Sequence, residues 1–96
     1  MLVPGRELRV QVAGTRGISA DVRAATLNLA AVGATAPGFI VAVPCGQTSD
    51  VSNVNFTGDS GAVANGANVQ LDATGSICVT TSAPTHVLID ITGVWK

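Results

Sequence analysis

The chain of 96 residues contains no tyrosine, one tryptophan, one histidine and two phenylalanines. With so few rings the core has to be small and aliphatic, built from Val, Ala, Leu and Ile, and a stacking surface for bases or sugars has almost no raw material. Charge is equally scarce: Lys96 is the only lysine, charged residues make up 11% of the chain, and the formal net charge is −1. No field is available to steer a polyanion, so nucleic acid is not an expected partner. Arg6, Arg9, Arg16 and Arg23 fall in the first quarter beside Glu7 and Asp21 and read as solvated charges on strand edges and turns. No run approaches the roughly 18 apolar residues of a membrane helix, so membrane insertion is not expected, and residues 1–5 lack the regions of a signal peptide. A chain of this length closes one core and not two, so residues 1–96 form one domain. If the parent protein is secreted, that domain is expected to be excised from it.

What is present is a series of short apolar runs separated by Gly, Asn, Asp and Pro. Glu7 to Val12 alternates, with Leu8, Val10 and Val12 on one face, as in a half-buried strand. Arg23 to Val32 is rich enough in alanine for a short helix, but Leu27 and Leu29 alternate with Thr26 and Asn28, which favours a strand. Phe39 to Val43 is a continuous apolar run ended by Pro44 and reads as the core strand, with both phenylalanines inside. Further strands follow at Val51 to Thr57, around Val69 and Leu71, at Ser76 to Thr81 and at His86 to Ile91, with Asp72-Ala73-Thr74-Gly75 as a hairpin turn. About seven or eight short strands with no 3.6-residue period predict an antiparallel β-sandwich, with an open barrel as second choice.

Cys45 follows the Phe39 strand and Cys78 sits inside the Ile77 strand. Two buried free thiols are one reading; the other, which we adopt, is a disulfide that straps the two strands together and implies an oxidising compartment. Closing a loop of this length stabilises by roughly 3 to 4 kcal/mol in the chain-entropy model. Metal binding needs more ligands than two cysteines and one distant histidine supply, so no metal or other cofactor is expected.

Gly58-Asp59-Ser60-Gly61 copies the tetrapeptide around a protease nucleophile, but His86 is the only histidine and follows Ser60 in the chain. Asp90 shares a face with His86 at about 13 Å, too far for direct contact. We therefore read the tetrapeptide as a turn, His86 as structural, and the chain as no enzyme; Asp90 is expected to bond to backbone or to Thr92. Asp50, Asp59 and Asp72 fall in turns without the dense spacing of a calcium loop, which leaves a surface calcium site undecided. Asn55-Phe56-Thr57 is formally a glycosylation acceptor. Trp95, Asn53 and Asn55 are the candidate ligand-binding residues, Trp95 as a platform for a sugar ring and the asparagines as hydrogen-bonding partners.

Pro37-Gly38-Phe39-Ile40-Val41, Pro44-Cys45-Gly46, Ser52-Asn53-Val54-Asn55-Phe56, Ile77-Cys78-Val79 and the segment Ser82 to Trp95 resemble a domain repeated in secreted actinobacterial proteins, whose blocks look like GFLTVYPCG, SNLNF and VCVYTSAPTHLIVDVNGYF. Leu27-Asn28-Leu29 also fits, so the resemblance covers nearly the whole chain. It departs at Thr80, where Tyr is common, and at Val94-Trp95, where an aromatic pair is common. The resemblance implies a secreted, β-rich, non-catalytic accessory module with its cysteines paired. The expected function is to space, display or dock a secreted protein at a cell envelope or substrate; the alternative is a module that binds cell-wall or plant polysaccharide. Self-association through a strand edge is also open, because few lysines guard the edges.

Overall fold

The computed structural model describes residues 1–49 and 51–96. Seven strands, β1 (Leu8–Gln11), β2 (Ala24–Val32), β3 (Gly38–Pro44), β4 (Val54–Phe56), β5 (Ala62–Gln70), β6 (Ser76–Thr81) and β7 (His86–Trp95), form two antiparallel sheets. One has the order β1-β6-β3-β4 and the other β5-β2-β7. The sheets do not close into a barrel, and no helix occurs among the described residues. The expected β-sandwich is the fold, and Ala24–Val32 is a strand.

Packing follows from alternation. Ala25, Leu27, Leu29 and Ala31 of β2 point inward and are buried, and they face Ile40 and Ala42 of β3 and Ile77 and Val79 of β6. Side chains of period two put every second residue of each central strand into one aliphatic layer between the sheets. Phe56 closes this layer, but Phe39 does not: it is 44% exposed on the outer face. Its neighbour Ile40 takes the inward position, so the alternation sends Phe39 outward, against the expectation that both rings lie inside.

Two connections differ from the sequence reading. The Asp72 to Gly75 turn is not a hairpin, because β5 pairs only with β2 while β6 pairs with β1 and β3; the turn carries the chain from one sheet to the other. Its local chemistry is nevertheless that of a tight turn. Asp72 Oδ1 accepts from Thr74 N, Thr74 Oγ1 and Ser76 N at 2.7–2.9 Å, and Gly75 takes a left-handed φ of 82°. β5 is also longer than the Val69–Leu71 signal suggests, running from Ala62.

Cys45 and Cys78 form the disulfide, with Cα atoms 4.8 Å apart. Val43 of β3 is directly opposite Cys78 of β6, so the bond joins neighbouring strands of one sheet rather than bridging the two sheets. Cys78 points away from the core layer, since Ile77 and Val79 point into it, yet it is only 1% exposed. Cys45 is bonded to it on this outer surface, and the outward-pointing Val41 is buried as well, near Ser49, Val51 and Ser52.

Candidate functional site

The two sheets meet differently at their two sides. At one side β4 and β5 lie against each other, and Asn65 Nδ2 of β5 donates to the Asn53 carbonyl at 3.0 Å, which ties the sheets together. At the other side β1 and β7 stand apart across a cleft of about 650 Å³. Leu8 and Val10 line one wall, Val87, Ile89 and Ile91 the other, and Ile18 and Arg16 close one end. Val10, Ile18, Val87, Ile89 and Ile91 are half-buried against the core, so the cleft floor is the edge of the core itself.

Each wall is an edge strand. β1 is short, and its burial falls off along its length, from Val12 just beyond its end, fully buried, to Leu8, 39% exposed. The alternation puts Leu8, Val10 and Val12 on one face; Leu8 and Val10 line the cleft, whereas Val12 is not among its lining residues and is fully buried. β7 is long and carries a bulge: Leu27 pairs with Ile91 but Thr26 pairs with Gly93, leaving Thr92 as the extra residue. Thr92 Oγ1 donates to the Thr26 carbonyl at 3.3 Å, so Thr92 is not the partner of Asp90 that the sequence suggested; Asp90 pairs with the outward Asn28, which puts its side chain on the outer face beside the cleft rim.

The candidate ligand-binding residues are not brought together. Asn53 is structural: its Oδ1 accepts from Ala42 N at 2.8 Å and its N–H donates to the Ile40 carbonyl at 2.9 Å, which fixes the loop before β4 onto β3. Asn55 is exposed opposite Phe39 on the outer face of the β1-β6-β3-β4 sheet and accepts from Ser52 Oγ at 3.0 Å. Trp95 is 48% exposed and pairs with Ala24, one of the outward positions of β2, so it lies on the outer face of the other sheet. It therefore does not plug the core, and it is not near Asn55.

Ser60 has a left-handed φ of 65°, its N–H donates to the Ala34 carbonyl at 2.8 Å, and Gly61 N donates to Asp59 Oδ1 at 2.9 Å. The Ser60–Ala34 bond, with Gly33 N donating to the Gly61 carbonyl at 3.0 Å, pins the Gly58–Gly61 turn against the Gly33–Ala36 turn, and Ser60, His86 and Asp90 share no side-chain hydrogen bond among the described residues. Asp59 and Asp72 each turn a carboxylate oxygen onto their own loop. Asp50 lies outside the described residues. No group of three metal-ligating side chains occurs among the described residues.

Two carboxyls among the described residues are shifted, both downward. Hydrogen bonds from Thr74 and from the Ser76 amide hold Asp72 below the usual carboxylate range, with Arg9 at 3.4 Å adding to the effect. A hydrogen bond from Ser19, and then the nearby Lys96, do the same for Asp21.

No family model matches the chain, and no curated protein or solved structure is detectably similar to it. No helix among the described residues is long and apolar enough to cross a membrane. The cleft itself was not legible in the sequence as a site. Its apolar residues sit in alternating runs that read as ordinary core faces, and nothing in such a run says which strands end up at an edge.

Proposed function

We propose that the domain is a non-catalytic extracellular accessory module that spaces, displays or docks a secreted protein at a cell envelope or substrate. The observation that carries this reading is the Cys45–Cys78 disulfide in so small a domain, since such bonds persist in oxidising compartments and staple domains with limited cores. The likeness to repeated domains of secreted actinobacterial proteins supports the same reading. The test is fractionation of cells producing the parent protein: the domain is expected in the medium or the wall fraction with its cysteines oxidised. Recovery from the cytosol with two free thiols overturns the proposal.

A second reading is a polysaccharide-binding module. The half-exposed Trp95 favours it, set beside polar outward residues such as Thr26 and Asn68, which hydrogen-bond to each other at 3.0 Å. Retention on insoluble cellulose, chitin or peptidoglycan, lost in Trp95→Ala, is the expected result on this reading. Passage of the intact domain through all three ends it.

A further inference from the structure

The cleft between β1 and β7 has the geometry of an unfilled strand position. Thr85 exchanges both of its backbone hydrogen bonds with Leu2, at 2.9 and 3.0 Å, on the edge of β7 turned away from β2. Backbone groups alternate between the two edges of a strand, so those of Val87, Ile89 and Ile91 face the same edge as Thr85. Beyond Leu2, no strand among the described residues pairs with them there. The side chains of these three residues stay half-buried against the core, so one position combines open hydrogen-bonding groups with an incompletely covered apolar floor.

We propose that this cleft captures an extended peptide strand that runs antiparallel to β7, sets apolar side chains on the core at alternate positions, and directs an acidic residue near its N-terminal end to Arg16. Direction follows from the Leu2–Thr85 pair: a strand that continues its pairing along β7 is antiparallel to it. Charge follows from Arg16. Its backbone holds a left-handed φ of 52°, rare for a residue with a side chain, and its guanidinium makes one 3.4 Å contact to the Gln11 carbonyl and no ion pair among the described residues. The rest of the donor fork is open to a carboxylate at the rim.

Arg16 stands at the Trp95 end of the cleft, because the loop it belongs to leads into Arg23, whose N–H donates to the Trp95 carbonyl at 2.7 Å, and Lys96 lies 3.7 Å from Asp21. In an antiparallel strand that end receives the N-terminal residues. Asp90, whose side chain stands on the outer face of β7 beside the cleft, repels a second acid that faces outward farther along. A second copy of the chain fits less well. Pairing β7 with β7 about Ile89 drives the other copy's Gly93 into the place Leu2 fills beside Thr85, and pairing about Asp90 sets two aspartates opposite each other.

The proposal names a partner for the docking role above and rests on it. The test is calorimetric titration of the intact domain with a synthetic eight-residue peptide of alternating valine and threonine that carries glutamate as its second residue. Saturable binding below about 1 mM is expected, with slowed hydrogen exchange at the Val87, Ile89 and Ile91 amides. N-methylation of the peptide amides that face β7 is expected to abolish binding while leaving the protein unchanged. Glutamine in place of the glutamate weakens binding by about three- to five-fold, and Arg16→Gly, which tolerates the left-handed backbone, removes that difference. No binding by about 1 mM, equal binding of the N-methylated peptide, or protection confined to other strands overturns the proposal. A concentration-dependent doubling of mass without peptide, with protection at β7, also overturns it and makes a second copy the occupant. Failure of peptide capture removes the ligand only; the accessory role stands or falls on the fractionation experiment.

Discussion

At the scale of single residues, the turns hold most of the specific chemistry. Asp72 is the hub of the crossing between sheets, accepting three hydrogen bonds within its turn and reaching Arg9 of β1 at 3.4 Å. Asp72→Ala is expected to lower the melting temperature by a few degrees, read by circular dichroism. Asp72 and Asp21 both ionise below their ordinary range in the folded chain. The stability they contribute is complete above the unfolded value near pH 4 and is lost as pH falls through the lowered folded values. Melting temperature should therefore fall between about pH 5 and about pH 2, and less steeply in Asp72→Asn. Gly58 is constrained twice, by a φ of 84° and by the Ala36 backbone, whose Cα would lie 2.7 Å from an added Cβ. Gly58→Ala is expected to cost about 1–3 kcal/mol in urea denaturation, while Gly5→Ala, with open space around it, costs less. The turn character of both positions was legible from Asp-x-x-Gly and Gly-Asp-Ser-Gly. What each turn connects was not, because a tight turn looks the same whether the chain folds back on its own sheet or steps across to the other.

Among the elements, the strands with strong alternation were legible and the weakly apolar ones were not. β2 and β7 announce themselves through Leu27, Leu29, Val87, Ile89 and Ile91. β5 hides because its inward positions are Val63, Asn65, Ala67 and Val69; Ala and Asn carry little β signal, and Asn65 faces the closed side to hold Asn53 rather than the core. β3 and β6 were legible together with their strap, since Cys45 follows one recognisable apolar run and Cys78 sits inside another. Removing the strap tests its weight: Cys45→Ala with Cys78→Ala is expected to destabilise the domain by about 3–4 kcal/mol, measured as a lower urea midpoint. Because Cys78 is only 1% exposed, dithiothreitol should reduce the bond slowly in native protein and readily in urea.

The molecule as a whole is a sandwich closed along β4 and β5 and open along β1 and β7. Local stability should follow that asymmetry. Native-state hydrogen exchange is expected to be slowest at Leu27 and Leu29, in the middle strand of its sheet, and faster at Val87, Ile89 and Ile91, whose amides face the open edge. Equal protection of all these amides in the isolated domain contradicts the open edge. The strap within one sheet has a further consequence for a domain tethered at both ends. The cysteines are 33 positions apart, and the bond closes off the stretch between them, β4 and β5 included, so a pull on the two ends loads only the chain outside it. Fully stretched, the oxidised domain lengthens to roughly 220 Å instead of the roughly 330 Å of the reduced chain. On the proposed extracellular role, the bond sets how far a tether built from this domain can give before covalent chemistry takes the load.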